Sequence, residues 1–188
     1  MSRRRSANAF GLSLLAIIIG ALLIYAGIYR NHSQAGSTSS GSYRVVKVDD
    51  GDTVVVDWNG QKRTIRLIGM DTPEVVDPRK PVQCFGREAS ARGHQLLENQ
   101  NIKIETDPLV GELDKYGRTL GYVFLPDGTL YNQTMIADGF AHEYTYNKQT
   151  YKYQDQFKMA EADAKAAQKG FWSPATCNGN TKQAAVTQ

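Results

Sequence analysis

Sulfur and imidazole are scarce in this chain. Its 188 residues include two cysteines and three histidines. Two lone cysteines are too few for a structural zinc site, and no cysteine–histidine cluster exists to favour a soft metal. No internal repeat is visible. An excess of charge is missing as well. The formal net charge of +3 is carried by the ends: residues 43–177 hold 17 basic residues against 19 acids, a balance of −2. Bulk charge therefore gives no argument for a nucleic-acid partner, and any such argument must rest on local arrangement.

Long apolar runs are absent but for one. Phe10 to Tyr29 carries no formal charge and is long enough to cross a bilayer as a helix. Arg3, Arg4 and Arg5 precede it, which puts residues 1–9 in the cytoplasm and everything after the span outside. "YRNHSQAG" offers no convincing cleavage site and no cysteine follows closely. Residues 10–29 accordingly read as an uncleaved, single-pass signal anchor in the cell membrane, with a cleaved signal as the alternative. Residues 30–42, rich in serine and glycine, read as a flexible linker. Residues 43–177 form the folded unit, and 178–188 a disordered tail with little to bury. On the outer side of a membrane an even cysteine count favours a bridge, here Cys84–Cys177.

Within the folded unit, Tyr43–Val48, Thr53–Trp58 and Gln61–Ile68 read as three antiparallel strands, the last two joined by the hairpin signal Asn59-Gly60. "FGREASARGHQLLENQ" has helix-forming composition. Ile102–Thr106 and Leu120–Leu125 read as strands, with Thr129–Tyr131 extended beyond the Pro126-Asp127-Gly128 turn. "NQTMIADG" suits a short helix, and Tyr151–Lys169 a longer one stopped by Gly170. Five short strands with interspersed helices predict an α+β fold, a five-stranded barrel of the oligonucleotide-binding type with three helices, preceded by the one transmembrane helix.

Three charged clusters punctuate these strands. "DDGDTV" places Asp50 and Asp52 about a tight glycine turn, without the spacing of an EF-hand loop. "RLIGMDTPE" sets Arg66 in an apolar strand and Asp71 and Glu74 around the stiff Thr72-Pro73 turn. "DKYGRTLGY" opens a strand with Arg118. Carboxylates of this kind suit a hard cation such as Ca²⁺. Arginine forks suit phosphate oxygens, and a glutamate beside them can take a proton from water. Together these are the parts needed to hydrolyse a phosphodiester. On charge pattern alone, the same residues fit surface ion pairs somewhat better.

"DGDT", "RLIGMDTPE", "FGREAS" and "DKYGRTLGY", in this order and spacing, resemble the staphylococcal nuclease family. The resemblance spans Tyr43 to Trp172. It implies a Ca²⁺-dependent extracellular nuclease that cuts DNA and RNA to leave 3′-phosphate ends, without an obligate protein partner and as a monomer. Carried over by motif, Asp52, Asp71 and the Thr72 carbonyl resemble the calcium ligands and Glu74 the general base. Arg66 and Arg118 resemble the phosphate-binding pair. Lys115 and Tyr116 resemble further substrate contacts, and Tyr144 and Tyr146 resemble nucleotide-stacking positions. The best-known members lack the cysteine pair and are more basic. A catalytically inactive module of this fold, binding nucleic acid or protein, is the alternative; such a module is expected to have lost an arginine or the glutamate, and all are present here. His94 and His142 match no catalytic position and read as structural.

Overall fold

The β-branched and apolar residues at alternate positions of the first three strands need a buried face, and they find it inside a closed barrel. The computed structural model describes residues 41–75 and 81–185. The expected membrane anchor, residues 10–29, lies outside the described residues, among which no helix is long and apolar enough to cross a membrane.

Strands β1 (Ser42–Val48), β2 (Thr53–Trp58) and β3 (Gln61–Leu67) form an antiparallel meander. Asn59 and Gly60 both take positive φ, 54° and 85°, the conformation that a tight two-residue hairpin turn demands. After a two-residue strand β4 (Met70–Asp71) comes helix α1 (Gly86–Leu97). Strands β5 (Asn101–Glu105) and β6 (Thr119–Phe124) complete the barrel in the order β1-β2-β3-β6-β5, with β5 closing on β1. All pairings are antiparallel except β3–β6. Helix α2 (Tyr131–Ala137), strand β7 (His142–Glu143) and helix α3 (Gln154–Ala166) follow. The barrel interior holds Val45, Val54, Val56, Ile65, Leu67, Ile102, Ile104 and Val123, with Met135, Ile136 and Phe157 from the helices packed over it. Each such side chain taken from water stabilises the fold by about 1.5–3 kcal/mol before ordering costs.

The α+β class, the five-stranded barrel and the three helices agree with the sequence reading; four details differ. Thr129–Tyr131 forms no strand: Leu130 makes one bridge to Phe124 and Tyr131 already opens α2. The long helix is shorter than 151–169, because Tyr153 stands at its start and the chain leaves it at Ala167, ahead of Gln168 with φ 52°. The β4–β7 pair was not foreseen. Residues 178–185, expected to be a disordered tail, turn back and pair with the chain before α1: Cys84 N–H donates to the Gln183 carbonyl at 2.8 Å and Ala185 N–H to Val82 at 2.8 Å. The Cys84–Cys177 disulfide is present, and with Phe85, Phe171 and Trp172 it forms a small second core. It closes a loop with a sequence separation of 93 residues, a constraint of about 4–5 kcal/mol in the chain-entropy model.

Candidate active site

The parallel pairing of β3 with β6 decides where the two arginines meet. Arg66 lies opposite Leu120, and Arg118 stands on the turn just before β6. Both arginines line one cavity of about 640 Å³.

Around Arg66 the carboxylates converge. Its Nη2 donates to Asp71 Oδ1 at 2.8 Å and stands 3.3 Å from Asp52 Oδ2, while Nη1 donates to the carbonyls of Leu67 and Met70. Asp52 is buried, and its oxygens also accept from Thr53 Oγ1 and from the Thr72 N–H and hydroxyl. Asp50 accepts from the Asp52 N–H. Gathering these acids has an electrostatic cost. Burial, then the charge of Asp52, pushes the Asp71 carboxyl up to about 6 against the pull of Arg66; burial and Asp52 likewise raise Asp50 to about 7. The turn is held rigidly, since a side chain at Gly51 would come within 2.6 Å of Thr72 Cγ2 and the Tyr131 hydroxyl donates to the Gly51 carbonyl at 2.8 Å.

Hard oxygens from Asp52 and Asp71 thus reach a single point, now touched by Arg66 Nη2. That donor set fits a hard divalent cation. It is a small set: among the described residues no group of three or more His, Cys, Asp or Glu side chains has metal-site spacing, so backbone oxygen and water must complete any coordination shell.

Arg118 is held differently. Nε and Nη2 both meet Asp114 Oδ2 at 2.7 Å, and the Arg118 and Tyr116 N–H groups both donate to Asp114 Oδ1 at 2.9 Å. Burial favours protonation of Asp114, but these hydrogen bonds outweigh it and hold its carboxyl below the usual range. Tyr116 is 71% exposed, with Lys115 Nζ 4.9 Å and the Arg118 guanidinium 5.4 Å from its ring. Tyr144 and Tyr146 face the same cavity, their ring centres 6.3 Å apart. The β4–β7 bridge brings them there, with Asp71 opposite His142 and the Tyr144 N–H donating to the Gly69 carbonyl at 3.1 Å.

Arg66, Asp71, Lys115, Tyr116, Arg118, Tyr144 and Tyr146 therefore share one cavity, while Asp52, Thr72 and Glu74 are not among its lining residues. Asp52 and Thr72 sit buried behind Asp71. Glu74 lies just past the turn, near enough that its charge also raises the Asp71 carboxyl. His94 lies on α1 near Glu98, and half-buried His142 packs on Phe171 with ring centres 4.3 Å apart. Sequence reasoning missed Asp114, although an acid four residues before Arg118 across a glycine turn was a usable signal. It also missed Leu113, Val110 and Tyr151, which form an apolar wall of the cavity.

A barrel of the oligonucleotide-binding type with two arginines, clustered carboxylates and exposed tyrosines about one cavity defines a class suited to phosphate esters. The chain belongs to the staphylococcal nuclease family: the family model described as staphylococcal nuclease homologue matches residues 64–174. It is 36% identical over 165 residues to the thermonuclease of Staphylococcus hyicus, covering 85% of this chain and 95% of that protein. It is 40% identical over 131 residues to the thermonuclease of Staphylococcus intermedius, covering 70% of this chain and 76% of that one. The endonuclease YncB of Bacillus subtilis is 40% identical over 125 residues, which are 66% of this chain and 58% of YncB.

Proposed function

We propose that the chain is a calcium-dependent extracellular nuclease that hydrolyses phosphodiester bonds of DNA and RNA to 3′-phosphate products. The observation that carries this reading is the meeting of Arg66 and Arg118 at one cavity beside Asp71. In it, Arg66 and Arg118 grip the non-bridging oxygens of the scissile phosphate, a task that planar, permanently charged forks perform well. Glu74 takes the proton from a water attacking phosphorus. The bond from phosphorus to the 5′ oxygen breaks, and Arg118 stabilises the charge growing on the leaving side. Tyr116 and Lys115 contact phosphate, and Tyr144 and Tyr146 offer faces on which bases stack. A Ca²⁺ ion held by Asp52, Asp71 and the Thr72 carbonyl would supply positive charge at a phosphate oxygen.

The uncharged run at residues 10–29 supports anchoring at the cell membrane with the domain outside, and the Cys84–Cys177 bridge suits that oxidising side. The test is direct: the protein incubated with single- and double-stranded DNA or RNA degrades them with added Ca²⁺ and stops in chelator. Undiminished cleavage in chelator removes the metal from the reading; binding without cleavage in Ca²⁺ removes the enzyme.

A further inference from the structure

Glu74 stands on irregular chain, since residues 72–75 belong to no strand or helix. Without a regular ladder, its backbone groups must be fixed by other partners. Gln83 supplies two of them. The Glu74 N–H donates to Gln83 Oε1 at 2.9 Å, and the Gln83 N–H donates to the Glu74 carbonyl at 3.0 Å. Because the Glu74 N–H is a donor, only the amide oxygen of Gln83 can face it. Gln83 is itself clasped from the far side. It forms a bridge with Ala184, flanked by the Cys84 N–H bond to Gln183 and the Ala185 N–H bond to Val82, and the next residue is tied to Cys177. Packing closes the third side: a methyl group on Gly86 would meet the Glu74 carbonyl at 3.1 Å and Val75 Cγ1 at 2.7 Å.

We infer that Gln83 is a positioning residue for the hydrolysis, its amide oxygen fixing the backbone of Glu74, and that the disulfide-tied segment at residues 183–185 keeps Gln83 in place. The inference rests on Glu74 being the base. Gln83 touches no substrate; it acts by where it holds another group. A base must sit within about 2.6–3.2 Å of the proton it takes, and small misplacements of catalytic groups are costly in rate.

The test compares Gln83→Met, which keeps the bulk but loses the acceptor, with Gln83→Glu, which keeps an acceptor oxygen. Two readouts are taken: kcat and KM on DNA with Ca²⁺, and amide exchange of Glu74 without metal. In Gln83→Met, kcat falls about tenfold, as expected for one lost hydrogen bond, while KM is unmoved and the Glu74 amide exchanges faster. Gln83→Glu restores slow exchange and most of kcat. The full-length Cys84→Ser/Cys177→Ser double variant shows a smaller change in the same two readouts. Wild-type kcat and exchange in Gln83→Met overturn the role of Gln83, as does an equal loss in Gln83→Glu. Unchanged exchange and kcat in the double variant overturn the role of the C-terminal segment. If the wild-type chain cleaves nothing, the nuclease reading fails separately, and the exchange readout still judges Gln83.

Discussion

Asp114 spends both its oxygens on the turn that carries Arg118, two bonds to the guanidinium and two to backbone N–H groups. An arginine pinned along one edge has little rotamer entropy left to lose on binding phosphate. Asp114→Asn keeps the size but removes the charge, so the fork loosens. Hydrogen bonds to charged groups are worth about 1.5–3 kcal/mol, so kcat should fall roughly ten- to a hundredfold, with a smaller change in stability. Steady-state kinetics beside a denaturant melt separate the two effects. An unchanged kcat would mean that Arg118 is aimed by something else. From the sequence, the spacing of Asp114 to Arg118 across a glycine turn was a usable signal, but the folded turn is what shows Arg118 wrapped back onto it. Arg66, by contrast, was conspicuous, because a charge inside an apolar strand needs a reason.

At the scale of elements, alternation and turn chemistry made the strands legible. Val54, Val56, Ile65 and Leu67 alternate as a barrel interior requires, and Asn59-Gly60 marks its hairpin. Strands β4 and β7 have two residues each, too few to carry a period, so the bridge that brings Tyr144 to the cavity was invisible. The pairing of residues 183–185 with Val82–Cys84 depends on a distant disulfide and leaves no local pattern. The β7 region is pinned to α3 by Glu161, which accepts from the Glu143 N–H and from Lys165 Nζ and lies 3.6 Å from His142 Nδ1. Burial raises its carboxyl, but these partners prevail and hold it at about 2, down from an ordinary 4.5. A carboxyl depressed in the folded state adds stability above its unfolded pKa that is lost as pH falls through the folded value. Glu161→Gln should therefore be less stable than wild type at pH 7, by on the order of 1 kcal/mol after solvent screening. The gap should narrow as pH drops from about 4.5 to about 2. Urea melts across that range check it; a gap independent of pH would remove the ionic contribution.

For the whole molecule, a domain balance of −2 sits uneasily with a polyanionic substrate until the charges are placed. Arg66, Lys115 and Arg118 are gathered at one cavity, with Asp71 and Asp114 among its lining residues. Local arrangement rather than net charge is what suits this cavity to phosphate, so composition alone could not suggest it. This cavity, with Glu74 close to Asp71, is where we place phosphodiester hydrolysis. The most direct measurement is kcat and KM for the folded Glu74→Gln and Arg118→Lys proteins on DNA with Ca²⁺, their folding verified by circular dichroism. Glu74→Gln, unable to accept a proton, should lose about 10²–10⁴-fold in kcat. Arg118→Lys, charged but without its fork, should lose kcat with little change in KM. If both folded variants cut DNA at near wild-type rates, the site assignment is contradicted.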